Sequence, residues 1–212
     1  MDWQAMVLLG AYHGINPGMG WLFAVALGLQ QGTGRGVWRA LPPIVAGHAL
    51  AIGAVLVAVG LAQTIAPRDV LNVLVGVLLI SMGLYRLRRH GHPRFGGMQV
   101  GFRDLTIWSF LMASAHGAGL MVLPFVMRPP APVSAAASHE HAHHIAFATA
   151  DAAAVDAMAA GVHTLAYLIV MSLAAWIVYR KVGLSLLRTA WFNLDLAWAA
   201  ALVVTGIVVL LQ

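Results

Sequence analysis

The sequence predicts an all-α integral membrane protein, with six transmembrane helices arranged as two inverted three-helix repeats. Three observations carry that expectation. Of the 212 residues, 61% are hydrophobic and only 9% charged, whereas soluble domains carry about 25% charged residues. Six apolar stretches approach the ~20 residues that a spanning helix needs, at about 4–29, 40–64, 69–88, 105–127, 153–179 and 189–211. The two halves also carry histidines, glycines and amides at matching stretches.

Loop charges orient these stretches. Arg35 and Arg39 follow the first, Arg86, Arg88, Arg89, Arg94 and Arg103 the third, and Arg180, Lys181 and Arg188 the fifth; the opposite side holds only Arg68 and Arg128. Cytoplasmic loops collect Lys and Arg, so both termini are expected outside a bacterial-type inner (plasma) membrane. The same placement explains the net charge of +5 as a topology signal, with no nucleic-acid partner implied. The first stretch has an acidic flank (Asp2), lacks a small-residue cleavage site and runs long, unlike a cleavable signal peptide.

The chain divides at its basic middle. A first repeat covers 1–90, a basic linker 91–103 and a second repeat 104–212, the last with a histidine-rich external loop at 129–150. In the first stretch, Ala11-Tyr12-His13-Gly14-Ile15-Asn16-Pro17-Gly18-Met19-Gly20 has no inexpensive place facing lipid. Ionisable groups at bilayer depth usually face the protein interior and mark a path or site. Pro17 removes a backbone donor and crowds the His13 carbonyl, so that oxygen and the imidazole are both expected to be available. Gly32 to Gly36 makes a tight turn, and Pro42 and Pro43 open the second stretch, where proline is tolerated. Gly47-His48 lies inside it. Asp69 is a candidate cap for the third stretch, which carries Asn72. The fourth holds His116-Gly117 and Pro124, the fifth Gly161-Val162-His163-Thr164, and the sixth Asn193 and Asp195.

Setting the halves side by side pairs His13-Gly14 with His116-Gly117, Gly47-His48 with Val162-His163, and Asn72 with Asp195, with Gly83 and Gly206 each eleven residues further on. Three spans per half make the second enter from the opposite side, the inverted repeat of secondary transporters, whose sites lie near the midplane at the repeat interface.

Cysteine is absent, which excludes disulfides, thiolate sites and thiol redox chemistry. Four imidazoles on four helices, His13, His48, His116 and His163, suit a divalent transition metal ion such as nickel, cobalt, zinc or copper. Such ligands need outer acceptors to fix their tautomers; Asn16, on the same helical face as His13, Asn72 and Asp195 are the candidates. His13 and His163 come early in spans from outside, His48 and His116 early in spans from inside. One tetrahedral site, two half-sites or a relay are all compatible with that order. His139, His141, His143 and His144 read as an ion-collecting tract on composition. Methionines such as Met19, Met112, Met121 and Met171 read as packing, although copper(I) would give some of them a role, and Trp3, Trp21, Trp38, Trp108, Trp176 and Trp191 read as interfacial anchors.

These motifs resemble the LysE superfamily of six-span, three-plus-three transporters, and within it the nickel/cobalt exporter (NicO) group. The resemblance rests on His13-Gly14, Gly47-His48 and the histidine-rich loop; it covers the whole layout but only short motifs in letters. NicO-type proteins carry a histidine-and-aspartate motif in the first span, where this chain reads His13-Gly14-Ile15-Asn16-Pro17-Gly18 without a carboxylate. The resemblance implies metal export, while the loop charges fit uptake equally.

The leading functional expectation is an inner-membrane transporter of a divalent transition metal ion. One alternative is a membrane-embedded, histidine-ligated metalloenzyme or haem protein, disfavoured by the scarcity of carboxylates within the spans. Another is a small anion or solute transporter with a histidine proton relay. The partners expected are the lipid bilayer and the metal ion, with assembly into a homo-oligomer left open.

Overall fold

The computed structural model describes residues 3–88, 101–126, 141–182 and 187–211. Every regular element among them is helical. In chain order these are α1 (Trp3–Ile15), a 3₁₀ turn (Pro17–Met19), α2 (Trp21–Gln30), α3 (Gly34–Ala62), α4 (Arg68–Arg88), α5 (Phe102–Ala115), α6 (Ala118–Val126), α7 (His141–Ile177), a π turn (Val178–Val182) and α8 (Leu187–Leu210). Two segments, Gly34–Ala62 and Ala153–Lys181, are long and apolar enough to cross a membrane; α5 and α6, bent by 54° at their break, make a third if taken together. The fold is therefore compatible with a membrane protein.

The first stretch is broken, as its residues foretold. Pro17 has no N–H to continue α1, and Asn16 adopts an extended conformation whose Oδ1 accepts from the Gly18 N–H at 2.9 Å. Gly20, at φ +124°, then redirects the chain into α2, a conformation that L side chains rarely adopt. The counterpart break lies at His116-Gly117, where Gly117 takes φ +70°. These two glycines separate α1 from α2 and α5 from α6.

Several boundaries differ from the sequence expectation. α3 begins at Gly34, so Pro42 and Pro43 lie inside it and do not open it. Asp69 falls in the first turn of α4, where its charge meets the positive end of the helix. Residues 141–150, expected as loop, extend α7; the segment is alanine-rich and free of Gly and Pro, which favours helix. Trp21 is 5% exposed and donates from its indole to the Ile15 carbonyl at 3.1 Å, so it is a core residue and not an interfacial anchor.

Helices pack chiefly in three pairs: α1 with α7, α3 with α5, and α4 with α8. In lipid, such pairs are held by close approach of small residues, since lipid tails are as apolar as leucine. Gly10 abuts the His163 carbonyl, Gly14 the Tyr167 carbonyl, and Gly47 the Thr106 carbonyl. Between α4 and α8, a Cβ at Gly83 would lie 2.8 Å from the Ala199 carbonyl oxygen, and one at Gly206 would lie 2.8 Å from that of Gly76. Met19, Ile44, Tyr167, Met171, Trp198 and Leu202 form the centre of one continuous core.

Candidate functional site

All four histidines singled out from the sequence are fully buried. A buried imidazole must satisfy two ring nitrogens, and how each does so fixes its tautomer. The Nδ1 of His13 lies 2.8 Å from the Leu9 carbonyl, one turn back in α1. His116 repeats the arrangement in α5, with Nδ1 2.7 Å from the Met112 carbonyl. A carbonyl can only accept, so both rings carry their proton on Nδ1, and the lone pair of each neutral ring sits on Nε2.

Three of the four rings meet. His48 on α3 and His163 on α7 approach Nε2 to Nε2 at 3.4 Å. The His13 ring stands edge-on to both, with centroids 4.9 Å from His163 and 5.6 Å from His48. Nε2 of His13 and Nδ1 of His48 have no well-formed hydrogen bond, whereas His163 lies against the Met6 backbone of α1. Leaving such buried nitrogens unmatched costs about 1–3 kcal/mol each, so the cluster is built from groups that pack well and remain unsatisfied.

Aromatic side chains hold the cluster. Tyr167, one turn after His163, stacks on His48 at 4.0 Å and is itself fixed by donating its hydroxyl to the Met19 carbonyl at 2.6 Å. Trp198 on α8 stands edge-on between His13 and His116, at 4.5 Å and 5.5 Å, and donates its indole N–H to the His116 carbonyl at 2.9 Å. Tyr12 stacks on Trp198 at 5.1 Å. The indole thus touches both His13 and His116.

His116 instead faces the first helix break. A Cβ at Gly18 would lie 3.5 Å from His116 Nε2 and 3.2 Å from Asn16 Oδ1. The bend that removes Asn16 from α1 therefore carries it toward His116. Asn16 is not the acceptor for His13; that role belongs to the Leu9 carbonyl. The His13 carbonyl, expected to be available, accepts from the Asn16 N–H at 3.3 Å.

The remaining candidates are dispersed. Asn72 is buried on α4, and its Oδ1 accepts no hydrogen bond. Asp195 lies on α8 and His141, His143 and His144 at the start of α7, but their side chains, like all of His139, are outside the described residues. Among the described residues, no three histidine or carboxylate side chains are grouped closely enough to form a ready metal cage. Trp198 and Tyr167 were not singled out from the sequence. The signal for Trp198 was its depth, mid-way along the sixth apolar stretch, where an interfacial anchor does not belong.

No protein-family model, curated protein or solved structure matches the chain.

Proposed function

We propose that the protein is an inner-membrane carrier for a divalent transition metal cation (nickel, cobalt, zinc or copper), which it passes through His13, His48 and His163. The observation that carries this reading is the 3.4 Å between Nε2 of His48 and Nε2 of His163. That is long for a hydrogen bond, whose usual range ends near 3.2 Å. Two imidazole nitrogens bonded to one tetrahedral ion at about 2.0–2.1 Å stand about 3.3–3.4 Å apart. His13, with its unpartnered Nε2 beside this pair, is the third ligand after a modest ring rotation. His116 and Asn16, beyond Trp198, form the next station on the path.

The proposal includes six spans in two inverted repeats, with the basic loops cytoplasmic and both termini external. Matched contacts support it. The pair Gly83 with the Ala199 carbonyl becomes, when the third and sixth spans exchange roles, Gly206 with the Gly76 carbonyl; both approaches are 2.8 Å. The packing of α1 on α7 likewise answers that of α5 on α3, and the Nδ1 bond of His13 answers that of His116. Kinship with the NicO-type transporters of the LysE superfamily fits this layout and remains part of the proposal.

Titration of the purified protein with nickel, cobalt, zinc and copper tests the reading. Saturable binding that is lost in the His48→Ala and His163→Ala variants is expected. A well-folded protein that binds none of the four would overturn it.

One observation favours a second reading, a proton relay serving another solute. If one of the two facing Nε2 atoms carries a proton, His48 and His163 form an imidazole–imidazole hydrogen bond of the kind that passes protons in carriers. Proton flux into metal-free proteoliposomes, abolished by His48→Ala, would select this reading over the first.

A further inference from the structure

A groove of about 780 Å³ runs between the second half of α3 and the middle of α7. Its walls are small: Cβ atoms added at Gly53, Gly60 and Gly161 would meet nothing within 4 Å. Ala49 and Thr164, the sequence neighbours of His48 and His163, belong to its lining, while the two histidines are themselves fully buried behind it. Among the described residues, its one charged wall residue is Asp156. Asp156 precedes His163 by seven residues, so it lies about 10 Å further along the helix and projects within about 20° of the same direction.

The same two helices are closed beyond the histidines. Trp38, near the start of α3, packs on Trp176, near the end of α7, with ring centroids 5.6 Å apart. A Cβ at Gly34 would meet the Trp176 ring at 3.0 Å, and Arg180 lies 5.1 Å over that ring. The two antiparallel helices therefore meet at the end that carries Arg35, Arg39 and Arg180 and part at the other, with His48 and His163 between.

We infer that this groove is the access path to His48 and His163 from the side opposite the basic loops, and that the Asp156 carboxylate captures the arriving cation. The inference rests on the metal reading above. A charge at membrane depth is costly and commonly marks an ion path. A negative group in a low-dielectric cleft concentrates cations there and speeds their arrival by about tenfold or more.

The chain has no cysteine, so single-cysteine labelling needs no altered background. Gly53→Cys and Gly161→Cys report on the groove; Leu50→Cys and Ile169→Cys, exposed on the same helices but outside it, report on the lipid-facing surface. A charged, membrane-impermeant thiol reagent is applied to metal-free cells from the side opposite the basic loops. The two groove positions are expected to react at least tenfold faster than the two controls. Equal rates would show a lipid-filled crevice and overturn the path. In proteoliposomes, Asp156→Asn is expected to raise the KM for nickel or zinc transport about tenfold with the maximal rate little changed, and Asp156→Glu to restore it. An unchanged KM in Asp156→Asn would remove the capture role. Labelling is read without metal, so a protein that binds no metal would refute the metal reading while still deciding whether water enters the groove.

Discussion

His48 and His163 approach Nε2 to Nε2 at 3.4 Å although 115 residues separate them in the chain. They come from α3 and α7, so under the proposed inverted repeat each would be the other's counterpart. A pair related in this way lies where the two halves meet, the usual location of a carrier's site. His13 completes the group from the helix that packs on α7.

Loss of a first ligand should be severe and specific. His48→Ala and His163→Ala are expected to weaken metal binding by more than the roughly 10–100-fold seen when outer partners of metal ligands are removed. His116→Ala, across Trp198 from the cluster, is expected to bind metal but to transport it slowly. Equilibrium titration beside proteoliposome flux separates the two effects.

Trp198→Phe tests the role of the indole. The phenyl ring keeps apolar contact with Tyr12 and His13 but cannot donate to the His116 carbonyl. Stability should fall by about 1–3 kcal/mol for the buried acceptor left unsatisfied, measured by thermal unfolding in detergent. Metal affinity should change little, because Trp198 donates no hydrogen bond to the three converging rings.

Glycine substitutions test the repeat. Gly83→Ala and Gly206→Ala each drive a Cβ to 2.8 Å from a carbonyl oxygen on the opposite helix, and overpacking of this kind costs about 1–3 kcal/mol. Symmetry requires the two losses to be similar. Gly53→Ala and Gly161→Ala, with open space at the added methyl, should instead be neutral or stabilise by about 0.5–1 kcal/mol, the usual gain over glycine in a helix. Thermal melts of the four variants side by side give the comparison.

Orientation has its own check. The proposed topology places ten basic residues on one side and two on the other, so a phosphatase fused after Gln212 should be active and a fluorescent protein fused there dark. The opposite pair of signals would invert the topology.

Much of this site was legible in the sequence, for a physical reason. Imidazole, proline and glycine are expensive in a lipid-facing helix, so His13, His48, His116 and His163 stand out, as does Pro17; the break at His116-Gly117 does not, because a glycine that takes a positive φ looks in the sequence like one that does not. Which histidines share a space was not legible. Helical periodicity gives the direction of a side chain from its own helix, but not the rings that other helices bring around it, such as Trp198, which contacts both His13 and His116. Asn16 was misassigned because i, i+3 spacing assumes a continuing helix, whereas α1 ends at Ile15 and the amide bonds to Gly18. The extension of α7 back to His141 was missed because histidine and charge outweighed the alanine background in the reading of that segment.

The most direct test of the shared cation is X-ray absorption at the metal edge of the purified protein loaded with one equivalent of zinc or nickel. The expected spectrum has at least three imidazole nitrogens at about 2.0–2.1 Å, reduced by two in the His48→Ala, His163→Ala double variant. A spectrum without imidazole ligands, or one unchanged in that variant, would contradict the assignment of His48 and His163 as ligands to a common ion.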